Sequence, residues 1–161
     1  MNTCDEVSLR EITFATVRDI LALDVDEAQR AYVASNATSI AEGHFNPGAW
    51  FRGLYAAETP VGFIMLLDPE VPGAISRGPM GPGEVLLWRL MIDHRYQRRG
   101  YARRALDLAR THLRNRPGAT RLISSYVPSD HGPEAFYLLY GFQKTGRSRA
   151  NGREVEIWMA L

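Results

Sequence analysis

Apolar and polar residues alternate from position 7 to 12 (Val-Ser-Leu-Arg-Glu-Ile), which predicts a strand with one face against a core. Residues 16–23 predict a short helix. Residues 26–42 predict a second, with Ala28, Ala31, Tyr32 and Ser35 on one face. The turn residues of Gly43-His44-Phe45-Asn46-Pro47-Gly48 end it. Two apolar runs, 51–57 and 61–67, flank Glu58-Thr59-Pro60 and predict a β-hairpin. Residues 68–83 hold Pro69, Pro72, Pro79 and Pro82 together with Gly73, Gly78, Gly81 and Gly83, and predict a long loop. Loops of that length in a compact domain are uncommon and often functional or mobile.

Residues 84–92 form a strong strand candidate. Residues 100–116 carry the clearest helical stripe of the chain, Ala102, Ala105, Leu106, Ala109 and Leu113, closed by Pro117-Gly118. A strand at 121–127 follows, then a short helix at 133–140 opened by proline. Strands at 142–145 and 154–159 close the chain around Asn151-Gly152. The order β-α-α-β-β-β-α-β-α-β-β describes an α/β (α+β) protein, a mixed sheet with helices on its faces.

Composition narrows the class. The chain has 161 residues, which fits one domain spanning 1–161. Apolar residues are 45% of the total and the net charge is +1, which argues against a nucleic-acid or membrane coat. The N-terminus is acidic, without the basic and apolar regions of a signal peptide, and no apolar run is long enough to span a bilayer. A cytoplasmic location is the expectation. Cys4 is the single cysteine, read as an ordinary terminal thiol. Asn36-Ala37-Thr38 fits a glycosylation sequon, read as accidental. His44, His94, His112 and His131 do not form a metal-binding spacing, so no metal is expected. Charge is uneven: residues 1–93 sum to −7 and residues 94–161 to +8. That split suits a cationic substrate and an anionic cofactor, or simply halves that neutralise each other.

The chemistry concentrates at Gln97-Arg98-Arg99-Gly100-Tyr101-Ala102, between a strand and the best helix. A glycine there lets the backbone turn tightly. The free N–H groups of the helix start favour anions, and Arg98, Arg99, Arg103 and Arg104 add positive charge. Together they predict a pyrophosphate cradle. Neither a P-loop nor a dinucleotide G-x-G-x-x-G is present.

This segment resembles the acetyl-CoA signature Q/R-x-x-G-x-G/A of the GNAT N-acetyltransferase superfamily. The preceding Leu87-Trp88-Arg89-Leu90-Met91-Ile92-Asp93 and the later Ala135-Phe136-Tyr137-Leu138-Leu139-Tyr140-Gly141-Phe142 are similar to the family's flanking segments. A narrower resemblance, to bacterial spermine/spermidine acetyltransferases, runs through residues 86–93, Tyr96-Gln97, Val61-Gly62-Phe63, residues 132–137 and the Tyr32 to Asn36 region with Pro47 and Trp50.

The resemblance implies a mixed, mostly antiparallel GNAT sheet with helices on both faces. It implies acetyl-CoA as cosubstrate, a small-molecule amine as acceptor, and direct attack in a ternary complex; dimers are common in such families. It implies that Leu90, Met91 and Ile92 supply backbone contacts to the pantetheine arm and the thioester oxygen. It gives Gln97, Arg98, Arg99, Gly100, Tyr101, Ala102 and Arg103 to the pyrophosphate, and Asp130 to a cofactor contact where relatives carry Asn. Tyr137 is implied as the acid that protonates the departing thiolate; its other reading is a core aromatic. Tyr140 is read as core.

A primary amine, with a pKa of about 10.4, must lose a proton before it attacks. Relatives place a Glu where this chain has Trp88. Glu84, on the same face by period two, is the candidate base, acting through water, or else a solvated strand-start carboxylate. Glu27, Glu42 and Trp88 are candidate substrate contacts, with Glu84 a further carboxylate for a cationic acceptor. The acceptor expected first is a polyamine. An aminoglycoside, a protein amine, and a sensor that binds acetyl-CoA without turnover are the alternatives.

Overall fold

The computed structural model describes residues 6–161, so Cys4 lies outside the described residues. Strands β1 (Val7–Arg10), β2 (Ala49–Ala56), β3 (Thr59–Leu67), β4 (Glu84–Ile92), β5 (Arg121–Tyr126), β6 (Gln143–Arg149) and β7 (Glu154–Ala160) form one sheet in the order β1-β2-β3-β4-β5-β7-β6. Every pairing is antiparallel except β4 with β5, which is parallel. The sheet is mixed and mostly antiparallel, as expected.

Helices cover both faces because the strands alternate. Leu54, Ile64 and Leu66 point to one side, where α3 (Tyr101–Arg114) buries Ala105, Leu106, Ala109 and Leu113 and α4 (Glu134–Tyr140) buries Tyr137. Tyr55, Phe63 and Met65 point to the other, against Ile20 of α1 (Val17–Leu21) and Ile40 of α2 (Asn36–His44). Fully burying one leucine such as Leu106 contributes about 2 kcal/mol before entropy is counted.

The predicted helix over 26–42 is interrupted. A 3-10 turn at Glu27–Gln29 gives way to irregular chain, and α2 starts only at Asn36. Ser35 is extended (φ −60°, ψ 155°), and its side chain accepts from the Thr38 N–H at 3.2 Å. That N-cap bond offers the backbone an alternative to continuous helix. Asn36 is buried and donates to the Ile20 carbonyl at 2.8 Å, so the sequon's asparagine side chain is packed in the interior.

Residues 68–83 are irregular but tied down. Asp68 accepts from Arg116 Nε and Nη2 at 2.6 and 2.7 Å, and Glu70 accepts from the Gly83 N–H at 2.7 Å. Asn46 both donates to and accepts from the Ile75 backbone. Arg149 donates to the carbonyls of Arg77 and Pro79, both at 3.1 Å. Side chains do here the satisfying of backbone groups that a strand ladder would do. Among the described residues, no helix is long and apolar enough to cross a membrane.

Candidate active site

The site begins with a defect in pairing. Met65 of β3 faces Arg89, and its neighbour Leu66 faces Leu87, so Trp88 is an extra residue in β4. Such a bulge bends its strand and raises the local twist. β4 accordingly pairs with β5 only over Glu84, Val85 and Leu86. Beyond that point the strands diverge, although Ser124 of β5 still reaches the Leu87 carbonyl through its hydroxyl at 3.2 Å. The divergence opens a cleft of about 1010 Å³ and leaves one edge of β4, from Trp88 to Ile92, without a strand partner. An unpaired edge is a ready partner for an extended amide-bearing chain.

At one end of the cleft lies the turn into α3. Gln97 donates to the Ile92 carbonyl at 3.1 Å and to Gln29 Oε1 at 2.9 Å, so it braces the turn against β4 and the segment before α2. Arg98 (φ +62°) and Gly100 (φ +81°) are left-handed, and a Cβ built on Gly100 would meet nothing within 4 Å. The backbone is thus bare in front of the α3 N-terminus, whose first N–H groups lack intrahelical acceptors. Arg98, Arg99 and Arg103 are exposed around it, with Tyr101 and Ala102 in the first turn packed against the core. Asp93, just upstream, is 1% exposed and accepts from the N–H groups of Asp24 and Arg95 and from Arg95 Nε. Burial pushes its pKa up, but the Arg95 side chain and these N–H donors outweigh that and hold it below the usual carboxylate range.

Tyr137 projects from α4 to the cleft wall. It is 8% exposed, with its ring 5.3 Å from Phe136 and Phe142 and 6.3 Å from Tyr126. Burial raises the phenol to about 12, against a smaller opposing effect of the Ser124 hydroxyl. The group therefore stays protonated at neutral pH and can donate. Tyr140 packs partly buried against the core, as expected, and its hydroxyl bonds Asp107 Oδ1 of α3 at 2.7 Å.

Trp88, Leu90, Met91, Ile92, Gln97 and Asp130 also line the cleft. The three glutamates do not. Glu84 sits where β4 and β5 are still paired, at the closed end; its carboxylate accepts from the Gly81 N–H at 2.7 Å and lies 3.7 Å from Arg121. Alternation does put Glu84 on the face of Leu86 and Trp88, but it lies where β5 still pairs with β4, so it falls short of the opening. Glu42 is engaged by Arg89 Nη2 at 3.3 Å, and Glu27 is an exposed residue of the 3-10 turn. Glu154 was missed: it lines the cleft at the start of β7 and accepts from Ser125 Oγ at 2.5 Å. Only the β5–β7 pairing brings it there, and no local pattern marks it. Arg77, Arg89 and Arg149 also line the cleft and were missed: the β3–β4 loop, the bulge in β4 and the β6–β7 pairing place them.

Residues 14–142 match the Acetyltransferase (GNAT) family. The chain belongs to that family: it is an N-acetyltransferase with acetyl-CoA as cosubstrate. It is 27% identical over 156 residues to the spermine/spermidine N(1)-acetyltransferase of Bacillus subtilis, covering 94% of this chain and 97% of that one. Among solved structures it is similar to an aminoglycoside acetyltransferase in complex with coenzyme A (TM-score 0.76, 14% identity, 96% and 95% of the two chains). It is also similar to the PaiA N-acetyltransferase of Thermoplasma acidophilum in complex with coenzyme A (TM-score 0.69, 15% identity, 97% and 99%). At these identities the structures speak for the fold.

Proposed function

We propose that the protein transfers acetyl from acetyl-CoA to a primary amine held in the same cleft, with Tyr137 as the acid. The carrying observation is the Trp88 bulge, which opens an unpaired β4 edge next to a buried, protonated phenol. Acetyl-CoA supplies an activated acyl carbon and a thiolate leaving group. The Gly100 turn, the α3 N-terminus and Arg98, Arg99 and Arg103 hold the pyrophosphate, and Asp130 on the cleft wall makes a further cofactor contact. The Leu90–Ile92 backbone takes the pantetheine arm and donates to the oxygen on which negative charge develops. Tyr137 donates toward the departing sulfur. Glu154 replaces Glu84 as the carboxylate placed to take a proton from the ammonium, since it lines the cleft and Glu84 does not.

A polyamine acceptor is a second reading, favoured by the Bacillus subtilis relative. Its expected carboxylates, Glu27, Glu42 and Glu84, do not converge on the cleft. Release of CoA from acetyl-CoA, followed across diamines, polyamines, an aminoglycoside, amino acids and a lysine peptide, tests the proposal. Turnover with at least one primary amine, falling by about 30- to 160-fold in Tyr137→Phe, is expected. Failure to bind acetyl-CoA would overturn it.

A further inference from the structure

Trp88 is flanked by two guanidinium groups. Arg77, from the loop between β3 and β4, lies 5.1 Å from its ring, and Arg89 lies 5.5 Å away. The bulge puts Trp88 and Arg89 on one wall of the cleft instead of on opposite faces. Arg77 is presented by a built support: Arg149 donates to its carbonyl, and Arg149 is itself held by Glu156, buried in the sheet, at 2.7 Å. No carboxylate lies within ion-pair distance of Arg77 among the described residues.

Arg89 is only partly satisfied. Nη1 donates to the Trp88 carbonyl at 3.0 Å and Nη2 to Glu42 at 3.3 Å, but Nε is buried without a partner, as is Trp88 Nε1. Burial first, and then the neighbouring Arg77 charge, push the Arg89 guanidinium below its ordinary value, against the pull of Glu42 and Glu154. This wall therefore holds more hydrogen-bond donors than acceptors, and Arg77 carries a charge that no carboxylate of the described residues pairs. Buried donors without acceptors are costly unless something fills the need. A polycation would add like charge at the same place.

Resting on the acetyltransferase proposal above, we infer that the acceptor amine carries a carboxylate, bound between Arg77 and Arg89 over Trp88. Guanidinium groups suit this role because their planar donors match the two carboxylate oxygens. Glu154, on the same cleft, is left for the ammonium end. The substrate class is an amino carboxylate, and Arg77 and Arg89 are its specificity determinants.

Matched acceptors separate the cases: 4-aminobutyrate against putrescine, and lysine against cadaverine, each at saturating acetyl-CoA. Amino carboxylates should give a kcat/KM at least about tenfold higher than the matched diamines. Arg77→Gln should raise KM for the amino carboxylates by about 10- to 100-fold, with partial recovery in Arg77→Lys, while Tm and KM for acetyl-CoA stay put. Preference for the diamines, or equal loss on both classes, overturns the inference. A readout without turnover uses the CoA-bound protein titrated calorimetrically with N-acetyl-4-aminobutyrate and N-acetylputrescine. Tighter binding of the anionic product, lost in Arg77→Gln, supports it; equal or absent binding of the two overturns it. Absent acetyl-CoA binding instead removes the catalytic proposal beneath it.

Discussion

Replacing Tyr137 by Phe isolates one hydroxyl in a packed setting. The ring contacts with Tyr126, Phe136 and Phe142 are retained, so the fold should survive with a Tm within about 3 °C of wild type. The phenol, raised to about 12 by burial, is ionised in only about one molecule in 10⁵ at pH 7. It is thus always available as a donor. Full transfer of its proton to a thiolate is another matter. Against a thiol of about 8.5 the mismatch is about 3.5 units, or about 5 kcal/mol uphill. The more economical contribution is a charge-assisted hydrogen bond to sulfur as charge develops there, worth about 2–3 kcal/mol. That corresponds to about a 30- to 160-fold loss in kcat, with kcat/KM falling in parallel because the bond forms only in the transition state. Steady-state CoA release with the best acceptor, alongside thermal unfolding of the same samples, measures both. The wild-type pH profile should also show no decline from loss of this proton below about pH 10. A variant with intact Tm and kcat within threefold of wild type would refute the role.

Further outcomes follow from single contacts. Gly100→Ala forces φ +81° on a residue with a side chain, so it should cost about 1 kcal/mol of stability and weaken acetyl-CoA binding in a calorimetric titration, because its Cβ points into open space before the α3 N-terminus. Ser35→Ala removes the α2 cap and should lower stability by about 1 kcal/mol in urea unfolding. Asp93→Asn should cost about 2 kcal/mol at pH 7. The Asp93 carboxyl is depressed in the folded state, so its stabilisation is complete above the unfolded value of about 3.9 and is lost as pH falls through the folded one. The gap between wild type and variant should therefore close below pH 4.

How much of this was legible in the chain depended on range. The stripe Ala105, Leu106, Ala109, Leu113 announced α3 because a helix buries one face at its own period. The strands 84–92 and 121–127, and the glycine turn between strand and helix, announced the end of the cleft at α3 by the same local logic. Tyr137 came from a resemblance, and the structure puts it at the cleft. The length of α2 was misjudged because one serine hydroxyl, capping Thr38, outcompeted a weak apolar pattern.

Of the residues expected to meet the acceptor, only Trp88 lines the cleft. That β4 parts from β5 at all depends on one unmatched residue, Trp88, and a bulge is a relation between two strands rather than a property of one. Glu154 and Arg149 are distant in sequence from Trp88 and reach its cleft only through the β5–β7 and β6–β7 pairings, while Arg77 is placed by the loop tethered to Arg149. Period and propensity determine elements within a few residues; the charge that faces a substrate is settled by long-range pairing, which only the folded chain supplies.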